Sequence, residues 1–175
     1  KDNAKSLRAP SKPVELPVSK EDQDTILAML EYLKLSQDEE YRKANPKVRE
    51  GVGLAAPQIG INKQMIVVYY PTNEEPVQHL LINPKIVVNS VRKCYLRNGE
   101  GCLSVDKEHE GIILRDFRIV VEAIDGITLK PITVKAIGYH AIVLQHEIDH
   151  LKGILFYDHI NPKDPFGHPE DAVEI

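Results

Sequence analysis

His140-Ala141-Ile142-Val143-Leu144-Gln145-His146-Glu147-Ile148-Asp149-His150-Leu151-Lys152-Gly153 is the stretch that decides the fold. Ile142, Val143, Leu144, Ile148 and Leu151 surround nearly the whole circumference of a helix, and a helix that is apolar all round is buried. Gly153 supplies its stop. The spacing predicts a helix over 140–152. Residues four apart share one helix face, so the His146 and His150 imidazoles can reach one metal ion. Glu147 can address a water that such an ion carries. Two imidazoles and two carboxylates inside an apolar helix cost several kcal/mol unless paired or metal-bound. A polar network without metal is the alternative reading.

Outward from this helix the chain reads as β-structure. Met65–Tyr70, Leu80–Asn83, Lys85–Val88, Cys94–Leu96, Ile112–Leu114, Arg118–Ala123 and Leu129–Ile137 are strand candidates, rich in β-branched and aromatic residues. Asp125-Gly126 is a hairpin signal, and short strands with tight turns favour antiparallel pairing. Ahead of them, Ser19 reads as the N-cap of a helix over 20–35, with Ile26, Met29, Leu30 and Leu33 at helical spacing. Residues 36–49 read as a polar surface connection with a helical turn near Glu39–Arg42. Residues 1–17 and 163–175 read as irregular, broken by prolines. The fold class is α+β: antiparallel β-sheets packed around a central buried helix, in one domain over 1–175.

Twenty-two Lys and Arg against 26 Asp and Glu give a net charge of −4 over 175 residues. The balance argues against a nucleic-acid-binding surface, and no segment approaches the roughly 18 apolar residues of a membrane span. Two cysteines cannot build a disulfide framework, so a reducing, cytoplasmic compartment is expected. The chain opens on Lys1, in keeping with numbering from within a longer product.

A catalytic metal site needs a third protein ligand and an open position. His140, His159, Glu100 and Cys102 are the candidates. Glycine before Cys102 lets its backbone approach another group closely, and a thiolate is a strong ligand for Zn or Fe(II). Taken alone, Cys102 reads more readily as a small buried hydrophobe. Cys94, in an apolar strand pattern, reads as core.

Three segments, taken in order, resemble the peptide deformylase family. They are Gly51-Val52-Gly53-Leu54-Ala55-Ala56-Pro57-Gln58, Glu100-Gly101-Cys102-Leu103-Ser104 and Gln145-His146-Glu147-Ile148-Asp149-His150-Leu151. Similarity runs from about Val18 to Ile160 and is closest to the longer form of Gram-positive bacteria. The resemblance implies removal of the N-formyl group from the formylmethionine of nascent polypeptides. It implies one divalent ion on Cys102, His146 and His150, with Fe(II) the common metal in the cell and Zn or Ni found or substituted. It implies Glu147 as general acid/base, and the Gln58 amide and Leu103 N–H as holders of the formyl oxygen. Without the resemblance, Gln58 reads as a turn residue.

The Gly51–Leu54 backbone is then expected to pair with an extended peptide as an added strand, although the glycines could simply permit a tight bend. Glu100 and Gly101 are expected to border the substrate, with Glu100 also orienting a ligand histidine. Tyr139, Ile142 and Val143 could line a pocket for the methionine side chain or be plain core. Asp149 points off the ligand face, and Arg115 is its best partner. Where the family usually carries Val-Pro before a glycine near the cleft, this chain has His109-Glu110 before Gly111. Ala4 stands where relatives often carry proline, and the family's usual opening strand-like stretch is missing. The expected protein is a monomer with a transient ribosome encounter. Two rivals fit less well. A protease with the same helix motif would need a further ligand after it, where Asp158 and His159 have the wrong spacing. A structural metal site would want a fourth protein ligand.

Overall fold

The computed structural model describes residues 1–175. In chain order the elements are α1 (Lys5–Arg8), α2 (Lys20–Gln37), α3 (Glu39–Ala44), β1 (Gly53–Ala55), β2 (Met65–Tyr70), β3 (Val77–Asn89), β4 (Lys93–Tyr95), β5 (Arg115–Asp116), β6 (Arg118–Asp125), β7 (Pro131–Ile137), α4 (Tyr139–Leu151) and β8 (Val173–Glu174). Single 3-10 turns occupy Ala56–Ile59 and Phe156–His159.

Five strands form an antiparallel sheet in the order β1-β2-β3-β6-β7. The side chains of β2 alternate between two cores. Met65 and Val67 pack against α2 through Ile26, Met29 and Leu33. Ile66 and Val68 face the other side, where α4 brings Val143, Leu144, Ile148 and Leu151. Both faces are covered, which is why β2 is a continuous apolar run. Away from the sheet, Gln145 of α4 is hydrogen-bonded to the β5 backbone at Asp116. Structure therefore covers α4 on opposite sides, as its all-round apolarity demands. Gly153, at φ +74°, ends it.

Several boundaries differ from the sequence reading. The two expected segments flanking Pro84 are one strand, β3, because Asn83 takes a left-handed φ of 52° and the register shifts there. Asn tolerates that conformation, and its side chain secures the bend by bonding both the N–H and the carbonyl of Val14. The strand expected at Ile112–Leu114 lies instead at Arg115–Asp116. β7 begins at Pro131, after an Asx turn in which Asp125 accepts from the N–H groups of Ile127 and Thr128. α2 runs on to Gln37, and α3 follows at once because Asp38 caps it through the Tyr41 N–H. The termini are not wholly irregular. α1 buries Leu7, and β8 pairs with β4 in parallel, against the expected antiparallel rule.

Candidate active site

Three parts of the chain meet beside α4. The helix contributes His146, Glu147 and His150. The loop between β4 and β5 contributes Glu100–Ser104, and the 3-10 turn after β1 contributes Gln58. The donor atoms of Cys102, His146 and His150 all lie within 4.8 Å of one another. His150 Nε2 is 3.4 Å from Cys102 Sγ. The other candidate ligands go elsewhere: His140 Nδ1 meets the Tyr70 hydroxyl at 3.1 Å, and His159 Nε2 meets Asp149 at 2.7 Å.

The donor set fits a divalent ion. One thiol and two helix-borne imidazoles are a Zn- or Fe(II)-type set that leaves a fourth position open. Sγ of Cys102 faces two donors, the Ser104 N–H at 3.5 Å and the Gln58 amide at 3.6 Å. Burial first, and the charge of His146 second, push His150 down to about 3, so its imidazole is neutral and able to ligate. Burial opposes charge on His146 too. Its contacts with Cys102 and Glu100 nevertheless hold it up at about 10, a proton that a bound ion would displace. Cys94 is fully buried, and burial pushes its thiol up to about 11, in keeping with a core role.

Behind the cluster runs a chain of charges. His146 Nδ1 contacts Glu100 at 2.8 Å. Arg115 grips Glu100 with two bonds of 2.8 Å and reaches Asp149 at 2.5 Å. Asp149 then meets His159. Burial alone would raise Glu100, but Arg115 and His146 bring it down to about 2. Glu100 borders the cavity, with both its oxygens engaged by Arg115 and His146.

In front of the cluster is a cavity of about 360 Å³. Its walls are Gly51–Gly53 on one side, Gly101–Leu103 on another, and Tyr139, Ile142 and Val143 with Leu96 at the apolar end. β1 is an edge strand, paired only with β2, so its other edge is free. Leu54 belongs to that strand, but its side chain packs in the α2 core rather than the cavity. Glu147 is 4% exposed, and its Oε2 has no hydrogen-bond partner. Burial raises its carboxyl to about 7, with the charge of His146 pulling the other way. Gln58 accepts from the Ala55 N–H at 2.8 Å and donates to Ser104 Oγ at 3.0 Å.

Sequence reasoning missed Ser104, Arg49, Leu96 and the Asp149 partner His159. Ser104 stands inside a quoted segment, and its hydroxyl was the one available signal. His109, at the departure from the family pattern, stacks on Tyr157 with ring centroids 4.0 Å apart and meets Phe156 edge-on.

A thiol and two helix-borne imidazoles gathered at the foot of a cleft, with a buried carboxylate and a free strand edge beside them, are the equipment of a metal-dependent hydrolase of peptides. The family model of polypeptide deformylases matches residues 1–166. Peptide deformylase 2 of Geobacillus stearothermophilus is 48% identical over 178 residues, covering 100% of this chain and 95% of that one. The peptide deformylase of Oceanobacillus iheyensis is 46% identical, covering 97% and 92%. The crystal structure of the Ehrlichia chaffeensis peptide deformylase superposes with a TM-score of 0.73 at 32% identity, over 93% of this chain and 87% of that one. That enzyme has also been solved with actinonin. The chain belongs to the peptide deformylase family. It is an enzyme that removes the N-formyl group from nascent chains.

Proposed function

We propose that Cys102, His146 and His150 hold one divalent ion and that Glu147 carries the proton in deformylation. The observation that supports this most is the convergence of those three donors beside a buried carboxylate with one free oxygen. When bound, a divalent ion supplies Lewis acidity for the formyl oxygen and makes an attacking water more acidic. Every other role falls to the chain itself.

Glu147, held near pH 7 by burial, takes a proton from the water that attacks the formyl carbon. Negative charge develops on the formyl oxygen. The Leu103 N–H and the Gln58 amide receive it, each donor contributing about 3 kcal/mol. One Gln58 N–H is fixed on Ser104, and the other makes only a long contact with the Cys102 sulfur, so it is the one left for the formyl oxygen. Glu147 then returns the proton to the leaving nitrogen, giving formate and a free amine. The free edge of β1 at Gly53–Leu54 pairs with the extended peptide, while the N–H and carbonyl of Gly51 are held by Ser36 and Gln37; Tyr139, Ile142 and Val143 take the methionine side chain.

Fe(II) is the ion in the cell, with Zn or Ni as substitutes. The mixed sulfur and nitrogen donor set supports this. The enzyme works in the cytoplasm as a monomer that meets formylated nascent chains, with a transient ribosome encounter and no nucleic-acid contact of its own. A net charge of −4 supports the last point. No helix is long and apolar enough to cross a membrane.

The test is formate release from a formyl-Met tripeptide by protein prepared without oxygen and loaded with Fe(II) or Ni. Fast release that Glu147→Gln abolishes is the expected result. A folded, metal-replete protein that releases none overturns the reading.

A further inference from the structure

Arg49 stands two residues before Gly51 and reaches across to the facing loop. Its Nη2 donates to the carbonyls of Cys102 at 3.1 Å and Leu103 at 2.5 Å, and both terminal nitrogens donate to the carbonyl of Val105 at 3.2 Å. One guanidinium thus gathers three carbonyls of a loop that has no regular structure.

The Cys102 carbonyl belongs to the same peptide unit as the Leu103 N–H. That carbonyl is doubly bonded, because the Val105 N–H also donates to it at 3.2 Å. The N–H at the other end of the unit meets no protein acceptor. Donors on an amide oxygen draw electron density from its nitrogen and strengthen the N–H as a donor, and a charged donor does so about twice as strongly as a neutral one. Asp106 lies 3.4 Å from the guanidinium on an exposed flank and screens its charge only in part.

We propose that Arg49 is a positioning residue of the deformylation, fixing and polarising the Cys102–Leu103 peptide so that the Leu103 N–H receives the formyl oxygen. This rests on the reading of Leu103 as a donor to that oxygen. The planar fork is what the task requires. A lysine carries the charge but cannot hold three carbonyls in one geometry.

Arg49→Met and Arg49→Lys test it, with the Ni-loaded enzyme for kinetics and the diamagnetic Zn-loaded enzyme for NMR. The expected Arg49→Met protein keeps one ion per chain, loses about 10-fold or more in kcat and changes KM by less than about 3-fold. Its Leu103 amide proton moves upfield while that of Val121, in the distant sheet, stays in place. Added guanidinium ion restores part of the lost kcat. Arg49→Lys falls between the two. Should the Met variant not fold, the Lys variant carries the same test in the same direction. Unchanged kcat and an unchanged Leu103 shift, or a loss confined to KM, overturn the proposal. A protein with leucic acid in place of Leu103, which lacks that N–H and has an ester carbonyl at Cys102, separates the two readings. Full kcat there defeats the Leu103 role itself. Loss there without loss in Arg49→Met defeats the role of Arg49 alone.

Discussion

The α-carbon of Gly53 and the carboxylate of Glu147 are in van der Waals contact across the floor of the cleft. A β-carbon at position 53 would stand 2.7 Å from Glu147 Cδ and 2.8 Å from its Cγ, and closer still to Oε1. Glu147 is 4% exposed, so it has little room to step back without leaving its place beside the cluster. Gly53→Ala is therefore expected to lower kcat/KM by about 100-fold through displacement of the carboxylate. The overpacking costs about 1–3 kcal/mol of stability. Steady-state kinetics with a metal assay on the same sample check this. Loss of activity with the ion retained is the expected pair of results.

Glu100 is expected to set how firmly an ion is held at Cys102, His146 and His150. Its contact with His146 Nδ1 fixes which imidazole nitrogen faces the cluster. Glu100→Gln keeps the shape and removes the charge. Metal affinity should fall about 10- to 100-fold, read by competition with a chromogenic chelator. Equal affinity in the two proteins would show that His146 is oriented by packing alone.

Arg115 is 4% exposed and bridges two carboxylates, Glu100 and Asp149. Arg115→Met takes the shared guanidinium from both and leaves each with one histidine contact. A loss of about 3–5 kcal/mol is expected, measured as a lower urea midpoint with an unchanged m-value. His159 sits at the more exposed end of this chain, where its side chain is 36% accessible. His159→Phe should cost less than about 1.5 kcal/mol, since Asp149 keeps Arg115.

What was legible in the sequence was local. β2 was read to the residue because both its flanks are turns and both its faces are covered. α4 was read to within one residue because its apolar positions and Gly153 agree. The pairing of Asp149 with Arg115 could be anticipated because a buried carboxylate needs a cation and few are near. The rest depends on partners far along the chain. The continuity of β3 hangs on one Asn83 dihedral held by Val14, 69 residues away. β8 finds β4 across 79 positions, and no pattern announces it. Arg49 addresses backbone carbonyls, which every residue owns, so nothing in the identity of Cys102, Leu103 or Val105 pointed to it.

A cluster outside the site is expected to add to the acid sensitivity of the fold. His140, at the start of α4, packs against His79 of β3 with ring centroids 5.0 Å apart and meets the hydroxyl of Tyr70 of β2. Burial lowers His140 to about 4, and the neighbouring His79 adds to the effect. Burial lowers His79 as well, with Asp125 opposing. A histidine whose folded pKa is depressed favours the folded state while neutral. Its contribution is complete above the unfolded pKa of about 6.5 and is lost as pH falls towards about 4. Allowing for the partial exposure of the ring, His140 alone should account for about 1 kcal/mol of lost stability by pH 5. That is about 2–4 °C in Tm for a chain of this size. His140→Phe removes the titration, so its Tm should fall less steeply than that of the parent between pH 7 and pH 5. Calorimetric scans of the two proteins at matched metal loading decide it, and parallel curves would show that the histidine pair carries none of the acid sensitivity.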